Sequence, residues 1–260
     1  MAELVNSSRL AQLRSGRRAR VAARAIPDPQ PLSYQTAEIK KDLDLLLSGL
    51  GFPQAVLPSG GADQTKAQID KLLHRLEALT PAPMPLAWAE TPGGLPRVAP
   101  VLLGDWELVY ASNGTVVTRT GLAQLLLSAS QLPGVGISDI TQSLSLNDKG
   151  NLVASNSAVF GFGPLGGWRV GIEGVWRDSG DGKTARVLFD QVSVKPVSAL
   201  GLPVPSWLPA ATLNSGGLGG GGSGENRSGA DWVTTFVDRD LRVGRGKTGN
   251  TFLFRRKPPT

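Results

Sequence analysis

Short segments of alternating apolar and polar residues, separated by turn sequences, constrain the fold of this chain most strongly. In WRVGIEGVW the apolar side chains share one face of a strand and the charged side chains take the other; the two sets are Trp168, Val170, Ile172 and Trp176, and Arg169, Glu173 and Arg177. The turn sequences NDKGN at 147–151 and SGDGK at 179–183 bound segments of this kind. Short strands at this spacing indicate an antiparallel meander that closes into a barrel or a sandwich.

The C-terminal residues continue the same pattern. WVTTFV, LRVGR and TFLFRR predict three strands joined by the turns DRD and GKTGN. We expect Asp238 to accept hydrogen bonds from its own downstream backbone, and Asp238, Asp240 and Arg242 to pair at a strand corner and fix the register. No nucleophile or base in the sequence completes a catalytic site here, so we expect a structural role for these residues and for Gly246 and Gly249.

Two amphipathic helices are predicted before the strands. Each shows apolar residues at helical spacing, namely Ile39, Leu43, Leu46, Leu47 and Leu50 in the first, and Ile69, Leu72, Leu73, Leu76 and Leu79 in the second. Asp63 is the expected N-cap of the second helix, and TPAPMP ends it because proline removes backbone donors. We expect the helical part to occupy residues 36–85 and the strands to occupy 104–256.

The N-terminal residues differ in composition from the rest. Residues 1–25 hold six arginines and one acid, which accounts for +5 of the net charge of +6. This composition is typical of an organellar transit peptide, with a basic arm for nucleic acid or membranes as the alternative. Residues 26–35 contain three prolines and predict a linker. Because the remaining chain is nearly neutral, we expect no nucleic-acid partner.

Residue types and hydropathy limit the chemistry further. The chain has no cysteine and one histidine, which excludes disulfides and cysteine ligands and argues against a metal site of several histidines. No run approaches the ~20 apolar residues of a membrane span, so we expect a soluble or peripheral protein. We expect neither a metal nor a cofactor.

Two segments interrupt the strand pattern. GLAQLLLSASQL at 121–132 predicts a helix or lid, and residues 214–230 form a glycine-rich insertion that cannot pack a core. Between them, Trp207 and Leu208 lie among prolines. This composition fits either a cover over one barrel end or a segment that dips into a lipid surface.

Three sequence motifs together resemble a known family. GDWELVYAS at 104–112 matches a Gly-x-Trp-x-Leu-x-Tyr motif. Before it, IDKLLHRLEALTPAP is similar to a helix that leads into a Leu-Glu-x-x-x-Pro-x-Pro segment, here Leu76, Glu77, Pro81 and Pro83. The C-terminal motif is the most specific, and its matching residues are Phe236, Asp238, Asp240, Leu241, Arg242, Arg245, Gly246, Gly249, Phe252 and Arg255. These segments resemble the plastid lipid-associated proteins, also called fibrillins. Phe236-Val237-Asp238 departs from the usual Tyr-Leu-Asp and lacks the hydroxyl group.

The resemblance covers residues 36–256 and implies a lipocalin-like antiparallel β-barrel preceded by two helices. It also implies a chloroplast protein of plastoglobules or thylakoids that carries or organises quinones, tocopherols or carotenoids. Our leading hypothesis is therefore a noncatalytic lipid-binding protein whose barrel wall includes aromatic residues; the candidates are Trp106, Tyr110, Trp168, Trp176, Phe189 and Phe236.

Three alternatives stay open at this point. The aromatic residues can be plain core, in which case lipid contact is peripheral, through Trp207 and its neighbours or the apolar edge of 121–132. The chain can be a structural scaffold that binds an enzyme of plastid prenyl-lipid biosynthesis. A catalytic barrel would need a buried acid, and the strand acids Glu173 and Asp190 both alternate onto polar faces. We therefore expect no enzymatic activity.

Overall fold

Two helices precede the sheet in the computed structural model, which describes residues 32–57, 63–87, 89–90, 96–112, 135–163, 166–200, 202–205, 207–214, 230–247 and 249–258. Helix α1 spans Leu32–Leu50 and α2 spans Asp63–Glu77, which confirms the predicted pair. The predicted linker at 26–35 extends too far, because α1 begins at Leu32. The apolar residues at helical spacing begin only at Ile39, so the sequence pattern does not indicate the helical turns before it. The predicted transit peptide lies outside the described residues.

The described strands begin with a separate two-stranded pair, β1 (Ala89–Glu90) and β2 (Pro96–Arg97), followed by a 3₁₀-helix at Pro100–Leu102. The main sheet then contains β3 (Gly104–Ala111), β4 (Val135–Leu146), β5 (Leu152–Phe162), β6 (Gly167–Asp178), β7 (Thr184–Ala199), β8 (Leu202–Pro203), β9 (Ala211–Asn214), β10 (Ala230–Val237), β11 (Leu241–Gly246) and β12 (Thr251–Arg256). The predicted helix at 121–132 and most of the glycine-rich insertion lie outside the described residues.

Eight of these strands close into an antiparallel barrel. Strands β3 to β7 form a meander, the first half of β7 pairs with β10, and β10, β11 and β12 return to β3. The second half of β7 pairs instead with β9 and β8. The barrel alternative predicted from the strand pattern is therefore confirmed over the sandwich.

The two ends of the barrel differ. At one end, β3 and β5 begin, β12 ends and the 3₁₀-helix packs; Leu102 there is fully buried and its carbonyl accepts a 3.0 Å hydrogen bond from Nε1 of Trp106. Arg256 adds hydrogen bonds from its guanidinium to the carbonyls of Val101 and Leu103. We call this the closed end. We call the opposite end, where β6 begins and β7 ends, the open end, because Trp168 is exposed there and the neighbouring interior-facing residues of β6 and β7 are only half-buried; the β3–β4 connection at this end lies outside the described residues.

Two apolar clusters lie on opposite sides of the barrel wall. The first lies inside the barrel and includes Trp106, Trp176, Trp232 and Phe254. The second joins the helices to the outer face of β3, β10, β11 and β12. Because strands such as β11 are covered on both faces, inward and outward residues are both buried, and the alternation of burial disappears.

Two register shifts move predicted wall residues to the outside. A bulge in β3 between the pairs Leu253↔Tyr110 and Phe254↔Leu108 reverses the alternation, and a second bulge follows Thr234 in β10. Tyr110 and Phe236 consequently lie in the helix-facing cluster. The prediction that they line the barrel is therefore wrong. Strict alternation assigns every second residue to one face, so it gives the wrong face beyond a bulge that adds a residue to the strand.

The C-terminal meander forms as predicted. Oδ1 of Asp238 accepts hydrogen bonds of 2.9 Å from the backbone N–H groups of Asp240 and Leu241, which closes the β10–β11 turn. Gly249 has a φ of +78° in the β11–β12 turn, a conformation that glycine adopts without strain. Among the described residues, neither helix has the length and hydropathy that crossing a bilayer requires.

Candidate functional site

Aromatic rings fill the interior at the closed end. Trp106 and Trp176 lie there, as the sequence predicts, and both are buried. Trp232 completes the group: its ring stacks on Phe252 with centroids 4.8 Å apart and meets the edge of Phe254 at 6.0 Å. Trp232, Phe252 and Phe254 were not among the predicted wall residues, although their strands were identified and Phe252 belongs to the C-terminal motif.

A fully buried arginine lies among these rings. The guanidinium carbon of Arg242 lies 4.2 Å from the ring centroid of Phe254, 5.4 Å from that of Trp106 and 5.9 Å from that of Trp176. Such cation–π contacts partly replace the water that the cation has lost. Burial, with a smaller contribution from the charge of Arg256, lowers the pKa of Arg242 to about 9, so the guanidinium stays charged at neutral pH.

The predicted pairing of Arg242 with Asp238 and Asp240 is wrong. Both carboxylates turn outward to Nζ of Lys40 on α1, each at 2.8 Å. Position 242 alternates between Leu241 and Val243, which pack under the helices, so its own side chain enters the barrel. The motif acids therefore hold α1 against the β10–β11 turn, and the motif arginine belongs to the interior.

A short polar relay connects Arg242 to the middle of the barrel. Nη2 of Arg242 donates a hydrogen bond to Oε1 of Gln142, and Nε2 of Gln142 donates one of 2.5 Å to Oδ1 of Asn156. Gln142 is buried, whereas Asn156 is half-buried. The relay orients the Gln142 amide from both ends and extends from the closed end toward the open half of the barrel.

Several interior polar atoms have no hydrogen-bond partner among the described residues. They are Nε and Nη1 of Arg242, Nε1 of Trp176, Nε1 of Trp232 and Oγ1 of Thr234. Four of these five atoms are donors only. Buried donors in folded proteins are nearly always satisfied, so this concentration marks the site as unusual.

The wall toward the open end is aliphatic and less tightly covered. The strand register places Val170 and Ile172 of β6 beside Val194 and Val192 of β7 on the interior face, and all four are half-buried. Asn156 pairs with Ile172, so the polar relay meets this wall. Trp168 pairs with buried Phe160 on the same face but is 40% exposed, because it lies at the rim of the open end.

An exposed apolar hairpin extends beyond that rim. Leu200, which follows the last residue of β7, is 82% exposed, and the returning segment carries Leu202 at 70% and Trp207 at 79%. Leu208 is half-buried in the same segment. Because most of the Trp207 side chain is exposed, its ring is not packed over a barrel end, and this residue gives no support to the predicted cover.

The comparison with known proteins agrees with this geometry. The chain is similar to a plastid-lipid-associated protein. It is 26% identical over 222 residues to the probable plastid-lipid-associated protein 3, chloroplastic, of Arabidopsis thaliana, and the alignment covers 74% of the chain. The chain spans about half of that relative, 52% of its length. No protein-family model matches the chain.

The remaining predicted residues fall outside the barrel interior. The hydroxyl group of Tyr110 donates a hydrogen bond to Oδ1 of Asp70 at 3.0 Å and also lies 3.2 Å from the Lys66 carbonyl oxygen, beneath α2. Burial, followed by the neighbouring Asp70 charge, raises the pKa of Tyr110. Position 189 pairs with Gly174, but the side chain of Phe189 lies outside the described part of the structure.

Acidic residues in the described part do not gather into a reaction centre. Glu173 is exposed on the outer face, as its alternation predicted, and no three metal-ligating side chains cluster among the described residues. The site that the structure brings together is instead a cation with amide partners and an aliphatic wall. Gln142 and Asn156 lie in strands rich in serine and threonine, where no sequence signal distinguishes them.

Proposed function

We propose that this chain is a noncatalytic plastid protein that binds small apolar lipids inside its barrel. The observation that carries the proposal is the half-buried aliphatic wall of Val170, Ile172, Val192 and Val194 at the open end. Ligand sites in proteins of this shape are concave and mostly apolar, with a few polar groups that orient the ligand. The wall and the relay ending at Asn156 have this composition.

The dimensions of the wall favour one extended chain. Trp168 at the rim and Ile172 beside the relay are four residues apart on β6, which corresponds to ~13 Å at ~3.3 Å per residue. An eight-stranded barrel has room for one small ligand at most. Prenylquinones, tocopherols and carotenoids, the lipid classes that the family resemblance implies, present polyprenyl or polyene chains that suit such a wall.

The exposed hairpin provides a route for the lipid. Leu200 and Leu202 lie next to the rim at Trp168, because the last residues of β7 pair both with β8 and with the start of β6, and Trp207 follows four residues after β8. Exposed apolar side chains grouped at a cavity mouth are typical of contact with a lipid surface. We propose that this hairpin rests on a plastoglobule or thylakoid surface in the chloroplast, so that lipid passes into the barrel without crossing water.

The test places a bulky residue on the wall. Retention of the neutral quinone decyl-plastoquinone is measured by equilibrium dialysis for the wild type, Ile172→Trp and Glu173→Trp. Ile172 faces the interior and Glu173 is exposed on the outer face of the same strand. We expect Ile172→Trp to weaken retention about tenfold and Glu173→Trp to leave it unchanged. Equal retention by both variants would contradict the proposal.

A second candidate function rests on the helical layer. A groove between α1 and α2, lined in part by Leu45, Leu46 and Leu72 with Lys71 and Arg75 at its edge, lies on the surface, and Leu45 is exposed. This groove favours a scaffold that binds an enzyme of plastid prenyl-lipid biosynthesis. Leu45→Glu should then abolish capture of that enzyme while decyl-plastoquinone retention persists, and unchanged capture would remove the groove from consideration.

A further inference from the structure

The charge balance inside the barrel is incomplete. Acids near the barrel strands are engaged on the outside, with Asp238 and Asp240 on Lys40, Glu77 on Arg245, and Asp139 on Arg169 and Lys257. Arg242 has no carboxylate partner among the described residues. Burying a guanidinium without a counter-ion lowers the stability of the fold. Such an unpaired buried charge is therefore typical of a functional site.

A second cation strengthens the positive potential at this point. The guanidinium carbon of Arg256 lies 4.1 Å from the Trp106 ring centroid, and that of Arg242 lies 5.4 Å from the same centroid. Arg256 directs its N–H groups to backbone carbonyls, which are not charged. The charges of Asp238 and Asp240 partly offset that of Arg256. No carboxylate among the described residues acts on Arg242, so an anion in the interior would be attracted mainly to Arg242.

We propose that Arg242 binds the carboxylate of a long-chain acid whose hydrocarbon chain lies along the aliphatic wall. This inference rests on the proposed lipid-binding function and adds long-chain acids to the neutral lipids proposed above. Nε and Nη1 of Arg242 are free of partners in the described residues, so the carboxylate can bind them while Nη2 keeps its bond to Gln142. Asn156, the relay residue that pairs with Ile172 of the wall, provides a polar side chain between the wall and Arg242.

The order of contacts along the barrel supports the assignment of head and tail. From the rim inward, a ligand meets Trp168, then Val170 and Ile172, then Asn156 beside Ile172, and finally the relay to Arg242. Apolar contacts come first and charged donors last, which is the sequence that an amphiphile inserting head first requires. A fully apolar lipid would leave the donors of Arg242 unsatisfied, at a cost that a carboxylate removes.

The first experiment compares two fluorescent probes that differ only at the head group, cis-parinaric acid and its methyl ester. We expect the wild type to bind the acid about 10- to 100-fold more tightly than the ester, as a charge-assisted hydrogen bond to a buried cation implies. Arg242→Met should bind both probes with the affinity of the ester. Arg255→Met, which removes an exposed arginine paired with Asp44, should behave as the wild type.

A second measurement needs no variant. The carboxyl carbon of 1-¹³C-palmitate bound to the wild type should show the chemical shift of the ionised acid at a pH where the same acid in vesicles is protonated, because Arg242 stabilises the charged form. The inference would be overturned if the carboxyl group of bound palmitate titrated at the same pH as in vesicles. It would also be overturned if the wild type bound cis-parinaric acid and its methyl ester equally well. Equal binding would leave the proposed lipid-binding function intact, whereas binding of neither probe would overturn both.

Discussion

Arg245 on β11 and Glu77 on α2 form an ion pair that joins α2 to the barrel. Nε and Nη2 of Arg245 donate to the two carboxylate oxygens at 2.7 and 2.8 Å, and the Thr235 hydroxyl donates to the same carboxylate at 2.6 Å. Both charged side chains are mostly buried. This contact between α2 and β11 therefore connects two of the sequence motifs that resemble those of the fibrillin family.

The first prediction follows from this pair. Glu77→Gln should lower the free energy of unfolding by about 1–3 kcal/mol, because Arg245 would keep its charge and lose its counter-ion. Urea denaturation followed by tryptophan fluorescence measures the change. Glu38→Gln on the exposed side of α1 is the matched control, and we expect it to stay within about 0.5 kcal/mol of the wild type. If Glu77→Gln lowers the free energy of unfolding no more than Glu38→Gln does, the ion pair does not stabilise the contact between α2 and the barrel.

A glycine beneath an interior ring gives the second prediction. A Cβ atom on Gly244 would lie 2.5 to 2.7 Å from atoms of the Trp232 indole, which is itself stacked on Phe252. Gly244→Ala should therefore cost about 1–3 kcal/mol through overpacking. At Gly246 the same atom would meet Phe252 at 3.6 Å, an ordinary contact, so Gly246→Ala is the control. If Gly244→Ala and Gly246→Ala unfold at the same temperature, the Trp232 ring does not pack against Gly244.

Replacing Arg242 tests how much its buried charge lowers the stability of the fold. We expect Arg242→Met to raise the free energy of unfolding of the ligand-free protein by about 1 kcal/mol, because a flexible apolar side chain replaces an unpaired charge. Sites that sacrifice stability in this way are typical of ligand binding. Thermal unfolding of delipidated protein provides the measurement. A variant less stable than the wild type by more than about 1 kcal/mol would assign Arg242 a structural role instead.

The contact between Lys40 and Asp240 gives the pH prediction. The hydrogen bond from Lys40 is the main cause that lowers the pKa of Asp240, so this carboxylate stabilises the fold above its unfolded pKa of 3.8 and the contribution is lost as pH falls through the lower folded pKa. Lys40→Gln should lower the Tm at pH 6, and the difference from the wild type should shrink by pH 2.5. Lys41→Gln, an exposed neighbour, serves as control. A Tm difference that is constant with pH would contradict this account.

The sequence predicted the elements better than it predicted the faces. Period-two segments and turn residues identified the strands that form the barrel, and the helical stripes identified both helices. Tyr110 and Phe236 were misplaced because bulges after Leu108 and Thr234 reverse the alternation, and a bulge depends on tertiary pairing.

Arg242 was misplaced for a different physical reason. In LRVGR the apolar positions Leu241 and Val243 suggest the inward face, yet they pack under the helices while the arginine enters the barrel. A strand buried on both faces carries no information on which face is the interior. Trp106 and Trp176 were placed correctly because no register shift separates them from the core positions of their strands.

The central claim, that the barrel holds one lipid, is tested most directly by native mass spectrometry of the full chain after incubation with a plastid lipid extract. We predict one bound lipid per chain in the wild type, ejected on collisional activation, and loss of that adduct in Ile172→Trp but not in Glu173→Trp. A wild-type spectrum with only ligand-free protein, or an adduct that survives in Ile172→Trp, would contradict the account.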